Sequence, residues 1–252
     1  MPSFRTDLPD GRSAINYAIA RPLGVVAIVS PWNLPLLLMT WKVAPALAAG
    51  NSVIVKPAEL TSLSAYRLTL LAHQAGVPAG ALTLVTGTGE DTGEPLGRHP
   101  DVDMVSFTGS TEVGRLFLKY SAESNLKEIV LECGGKSPQV VFEDADLDAA
   151  VGQMLSAAYW NMSENCSCGS RLIVQASIKD AVIERLKHGL AEWKVGLPTD
   201  PATRIGPMVE EPHFHKVRAF LEEAPAAGAR LAHGGRIHAE LGSGWYVRSE
   251  EH

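Results

Sequence analysis

Cysteine is scarce in this chain of 252 residues: there are three, Cys133, Cys166 and Cys168. An odd number, with two of them two positions apart, excludes a disulfide framework and points to a reducing, cytoplasmic compartment. An excess of basic charge is also lacking. With 22 Lys and Arg against 28 Asp and Glu, the formal net charge is −6, which leaves no electrostatic footprint for nucleic acid or an anionic membrane surface. The opening Met1-Pro-Ser-Phe-Arg-Thr-Asp7 has no apolar core of the kind a secretory signal needs. A long uncharged run, residues 23–41, holds Ser30, Pro31, Asn33 and Pro35 at its middle. These would leave polar groups unsatisfied in lipid, so the run reads as a buried strand and loop rather than a membrane span. What is present is ample core material. A composition of 46% hydrophobic and 20% charged residues excludes disorder, collagen and a long coiled coil.

Short β-branched runs alternate with helical patterns, the signature of an α/β fold with a parallel sheet and crossover helices. The predicted strands are residues 24–29, 52–56, 81–86, 103–108, 127–132, 139–142 and 170–175. Helices are predicted over 36–49, interrupted by Pro45, and over 62–75, 110–122 and 146–161. Ser177 with Asp180 reads as a capping box opening a further helix, whose apolar side is Ile178, Val182, Leu186, Leu190 and Trp193. A loop over 196–207, a helix over 212–224 and a strand over 229–232 follow. Near the start, Asp10-Gly11 is a two-residue hairpin signal. An isolated hairpin is marginally stable, so this one is expected to pack on something, such as another subunit.

Four clusters at predicted strand ends carry candidate chemistry, because open α/β sheets bind ligands at the carboxyl ends of their strands. Asn33, braced between Pro31 and Pro35, is a preorganised amide donor for an oxyanion, or the bonded residue of a rigid turn. In Lys56-Pro-Ala-Glu59 the carboxylate suits a ribose diol and repels a 2′-phosphate, unless the two residues form a solvated surface pair. Phe107-Thr-Gly-Ser-Thr-Glu-Val-Gly114 runs from a strand into a helix whose first amides suit a pyrophosphate, and Arg115 excludes a Walker loop. Finally, Cys166 beside Asn165 and Ser167 is a candidate nucleophile, and Glu132 beside two glycines a candidate base. The alternative for a lone Cys is a small buried hydrophobe. Cys-x-Cys without a second pair, and without clustered histidines, argues against a metal site.

Pro31-Trp-Asn-Leu-Pro35, Lys56-Pro-Ala-Glu59, Phe107-Thr-Gly-Ser-Thr-Glu-Val-Gly114, Leu131-Glu-Cys-Gly-Gly-Lys136 and Cys166 stand in the order and spacing of the NAD(P)-dependent aldehyde dehydrogenase superfamily, which this sequence resembles. The resemblance implies a Rossmann-like doubly wound cofactor domain over 23–133, a partial α/β catalytic domain over 134–252, and an oligomerisation hairpin over 1–22 that makes a homo-oligomer. It further implies Cys166 as the nucleophile, Asn33 with the Cys166 amide as the oxyanion site, and Glu132 as the activator of the hydrolytic water. Trp32, Lys56, Glu59, Gly109, Ser110 and Gly114 fall to the cofactor, with Glu59 favouring NAD over NADP. The implied reaction is oxidation of a semialdehyde or aminoaldehyde to a carboxylic acid through a thiohemiacetal and a thioester. Cys168 receives no role. Ser163 stands where the family has glycine, so a positive φ there carries a strain of about 1 kcal/mol beside the nucleophile. The resemblance spans about the central half of a family member, and the pattern breaks off after Tyr246. This implies an alternative: a catalytically impaired fragment that binds nucleotide or partner subunits.

Overall fold

The computed structural model describes residues 3–237, 241 and 244–248, and the chain divides into two compact units, Met1–Cys133 and Gly134–His252. The first opens with a hairpin of β1 (Ser3–Asp7) and β2 (Ser13–Tyr17). Its turn is longer than the predicted two residues. Gly11 N–H donates to the Leu8 carbonyl, and Leu8 N–H to Arg12, with Gly11 at φ 79°. Pro9-Asp10-Gly11 therefore makes a three-residue connection ending in a left-handed glycine: Pro9 presets the first turn position and Gly11 takes the conformation other residues resist.

The body of this unit is built from β3 (Val25–Val29), α1 (Pro35–Ala48), β4 (Ser52–Lys56), α2 (Ser62–Gln74), β5 (Leu82–Leu84), α3 (Glu94–Arg98), β6 (Met104–Gly109), α4 (Thr111–Ala122) and β7 (Glu128–Cys133). All five strands of the sheet are parallel, in the order β5-β4-β3-β6-β7. β3 is central and apolar on both faces. Val26 and Ile28 pack with Met39 and Val43 of α1 on one side, whereas Ala27 and Val29 pack with Phe107 and Phe117 on the other. The chain winds outward from β3 to β4 and β5, then returns to the opposite side for β6 and β7, so the order reverses between β3 and β6. Asn51 ties the entry to β3, accepting from the amides of Leu23 and Gly24 at 2.7 and 3.1 Å while donating to the Ala46 carbonyl. Gly24 sits at φ 125°, where a Cβ would strike the Asp103 carboxylate that accepts from Val25 N–H. Pro45 does not interrupt α1 as expected. It lies in the last turn, where its missing N–H costs one bond, and its carbonyl still accepts from Ala49.

The second unit contains β8 (Pro138–Val141), α5 (Leu147–Tyr159), β9 (Arg171–Val174), α6 (Lys179–Leu190), α7 (Glu211–Glu223), β10 (Arg236–Ile237) and β11 (Val247–Arg248). Parallel β8 and β9 pack through Val141 and Val174 on α5 and α6. The capping box predicted at Ser177 does not form, because Ser177 lies in a tight turn before α6 and donates to Glu143 instead. The strand predicted over 229–232 is also absent among the described residues, and Leu231 there is exposed. The sequence tail 249–252 lies outside the described residues.

Candidate active site

In open α/β sheets the ligand crevice lies where the strand order reverses, at the carboxyl ends of the strands. In the first unit that point is the end of β3 and β6. Ser30 follows β3 and is buried, then Trp32 and Asn33 occupy a half-buried turn closed by Pro35, the first residue of α1; the Asn33 side-chain oxygen is screened from solvent. Gly109 ends β6 and Ser110 caps α4, its hydroxyl accepting from Val113 N–H at 3.1 Å. The first-turn amides of such a helix lack intrahelical partners and carry its positive end. Gly114 contributes differently: its amide is already committed to the Ser110 carbonyl, and a Cβ would meet Cys133 and Leu131 at 3.3–3.4 Å. Its lack of a side chain lets α4 lie close against β7.

Lys56 ends β4 and is buried, which departs from the solvated surface pair weighed above. Its ammonium donates to Glu59 at 2.9 Å and to the Pro57 carbonyl at 3.2 Å. Burial is the largest single influence and would raise the Glu59 carboxyl, but the hydrogen bond and charge of Lys56 together with a backbone hydrogen bond outweigh it and hold Glu59 below the usual carboxylate range. Glu132 is exposed on β7, opposite Thr108 of β6. A residue the sequence reading missed is Lys42 of α1, whose ammonium donates to Ser106 Oγ at 2.9 Å and to the Phe107 carbonyl at 3.2 Å. Burial depresses its affinity for the proton, while Glu132 acts in the opposite direction. Its signal was available: Lys42 is the lone charge in an otherwise apolar helix. Ser30 Oγ and Thr108 Oγ1 are buried at the reversal with no hydrogen-bond partner among the described residues. Orphaned hydroxyls there fit a polar ligand seated on these strand ends.

The candidate nucleophile belongs to the second unit. After α5 the chain makes a turn in which Asn161, Met162 and Ser163 have φ of 50°, 59° and 67°. Three successive non-glycine residues in the left-handed region carry strain of about 1 kcal/mol or more each. Local bonds offset it. Ser163 Oγ donates to the Ala158 carbonyl at 2.6 Å, Asn161 Nδ2 to Glu164, and Asn165 Nδ2 to Trp160. The positive φ on which the Ser163 expectation turned is thus present. Cys166 follows on an exposed loop, whereas Cys168 is buried and donates its Sγ to the same Ala158 carbonyl at 3.2 Å. No group of three potential metal ligands occurs among the described residues.

A doubly wound parallel sheet in one unit and an exposed thiol on a braced loop in the other place the chain in the α/β class with an open, parallel sheet. The chain belongs to the aldehyde dehydrogenase family, whose pattern it matches over residues 4–249, three residues past Tyr246. It is 55% identical over 239 residues to an aminoacetaldehyde dehydrogenase of Pseudomonas aeruginosa, covering 94% of this chain and 48% of that protein. The human 2-aminomuconic semialdehyde dehydrogenase is 44% identical, over 88% of this chain and 45% of its own length. Among solved structures, an indole-3-acetaldehyde dehydrogenase in complex with NAD+ superposes with a TM-score of 0.87 at 46% identity, over 90% of this chain and 46% of that one. The chain thus spans about half the length of the relatives it matches. No described helix is long and apolar enough to cross a membrane.

Strain at Ser163 yields a prediction. Ser163→Ala keeps the left-handed backbone but loses the bond to Ala158, costing about 1 kcal/mol of stability. Ser163→Gly loses the same bond but relieves the strain, so it stays within about 0.5 kcal/mol of the parent. Urea denaturation of the three proteins measures the order, and equal midpoints for Ala and Gly would refute the strain.

Proposed function

We propose that this chain carries the chemistry of NAD-dependent oxidation of an aldehyde, of the aminoaldehyde or semialdehyde type, to a carboxylic acid. The observation that carries the proposal is an exposed Cys166 on a hydrogen-bonded loop in a chain of the aldehyde dehydrogenase family. The Cys166 thiolate attacks the aldehyde carbonyl to give a thiohemiacetal, and the Asn33 amide with the Cys166 N–H stabilises the oxyanion. A bound nicotinamide dinucleotide supplies the hydride acceptor. Loss of hydride leaves a thioester on Cys166. Glu132 then takes a proton from water, whose oxygen attacks the thioester carbonyl, releasing the acid and the thiol. Gly109 and Ser110 offer the anion cradle, with Gly114 allowing α4 its approach, and Trp32, Lys56 and Glu59 serve the nucleotide's other groups. The aminoaldehyde class rests on the relative at 55% identity. Free thiols at all three cysteines suit a cytoplasmic setting. A second reading, a chain that binds nucleotide or partner subunits without turnover, rests on the first unit alone, where the Ser30 and Thr108 hydroxyls are orphaned at the strand ends.

The test is NADH formation at 340 nm with a panel of aminoaldehydes and semialdehydes. Turnover that vanishes in Cys166→Ala supports oxidation, and NAD binding without turnover on any aldehyde selects the second reading. Glu59 gives a separate prediction. Held anionic by Lys56, it repels a 2′-phosphate, so Glu59→Gln should improve NADP binding relative to NAD roughly tenfold. An unchanged ratio in nucleotide titrations removes Glu59 from cofactor choice.

We also infer a homo-oligomer formed through the hairpin, supported by Phe4, Ile15 and Tyr17, which are 67%, 72% and 65% exposed on an element too small to be stable alone. Sedimentation velocity should find an oligomer that Tyr17→Asp dissociates. A monomeric parent, or an oligomer indifferent to the substitution, counts against the hairpin.

A further inference from the structure

Two residues before Cys166 the chain places a carboxylate where solvent barely reaches it. Glu164 is largely buried, and its Oε1 lies 3.3 Å from Nε2 of His213, the third residue of α7. That helix start is itself anchored, because the neighbouring Phe214 is buried and packs on Trp245 with ring centroids 5.4 Å apart. The contact therefore sets the loop ahead of the candidate nucleophile against an anchored helix start, beside the turn of left-handed residues. We propose that Glu164, held against His213, is a positioning residue for the Cys166 loop whose ionisation modulates the reactivity of Cys166. The inference rests on Cys166 being the nucleophile, as argued above.

The charge states follow from the surroundings. Burial pushes the Glu164 carboxyl up to about 7. Burial also weighs against the His213 imidazolium, as does Lys216 one turn along α7, while Glu210 just ahead of the helix acts the other way. Two residues further along α7, His215 is turned toward Glu211, at 3.2 Å, and Lys136 acts on the Cys168 thiol. Below pH 7 the pair is thus mostly a protonated carboxyl facing a neutral imidazole, and near pH 7 the carboxyl is half ionised. Above it the carboxylate forms, a state that the His213 tautomer with its N–H toward Glu164 favours. The Cα atoms of Glu164 and Cys166 are at most about 7.6 Å apart, two peptide units. A carboxylate at that separation opposes a thiolate. A neutral Glu164 below pH 7 therefore favours the Cys166 thiolate, and its ionisation above pH 7 restrains it.

Alkylation of Cys166 by iodoacetamide tests this with neither aldehyde nor nucleotide, so its outcome is separate from that of the oxidation assay. The rate at Cys166 is followed against pH by mass mapping of the full chain. A lone thiol gains tenfold per pH unit below its own pKa. The parent should show a shoulder near pH 7, above which the rate lies roughly two- to fivefold under that line. Glu164→Gln should remove the shoulder, and His213→Gln should move it along the pH axis while leaving it present. Either variant suffices if the other fails to fold. Profiles that superimpose on the parent, or that shift equally at every pH with the shoulder kept in place, overturn the proposal.

Discussion

The first unit depends on one strand being apolar on both faces. β3 contributes Val26 and Ile28 to one cluster and Ala27 and Val29 to the other, so neither layer of helices can be lost without exposing it. A strand buried on both sides belongs in the middle of a sheet, and once it is there the chain must add later strands on its left or its right. This chain does both, with β4 and β5 on one side and β6 and β7 on the other. The reversal beside β3 leaves the ends of β3 and β6 uncovered by a crossover helix. It is there that Asn33, Gly109 and Ser110 lie and that the hydroxyls of Ser30 and Thr108 are orphaned. The candidate ligand groups are thus a consequence of how the core is wound.

The second unit solves a different problem. The candidate nucleophile proposed above is exposed, and an exposed loop is ordinarily loose. Here the loop is fixed by strain balanced against local hydrogen bonds. Three left-handed residues are costly, and the side chains that compensate, Asn161, Ser163 and Asn165, are of the types whose short polar groups bond nearby backbone. Rigid sheet ends hold the groups proposed for the nucleotide, and a strained turn holds the thiol.

Much of this was legible in the sequence. The β-branched runs marked the strands of the parallel sheet, most clearly β3 and β4, because strands buried on both faces read as continuous apolar stretches. The motif order placed Lys56, Glu59, Gly109 and Ser110 at strand ends. The misreadings have two causes, position within the element and tertiary partners that override a local signal. Ser177 has the spacing of a cap but finds Glu143, 34 residues away. Pro45 breaks helices in general but was tolerated one turn from an end. Lys42 stood out only as the lone charge of α1 and Glu164 not at all, because what gives each its setting is a group distant in the chain, Ser106 and His213 respectively.

Cys168, to which the sequence assigned nothing, bears on the choice of nucleophile. Its thiol and the Ser163 hydroxyl both donate to the Ala158 carbonyl at the end of α5. One donor lies three residues before Cys166 and the other two residues after it, so the exposed thiol is carried on a short arc pinned at both ends to one acceptor. Burial pushes the Cys168 thiol above its ordinary range and keeps it protonated, which is the state a donor requires. Cys133 is half-buried on β7, against the helix glycine Gly114. Of the three thiols, Cys168 is committed as a donor and Cys133 is packed against a helix, and Cys166 is exposed. The same burial that makes Cys168 a poor nucleophile makes it an anchor for the loop of Cys166, the candidate.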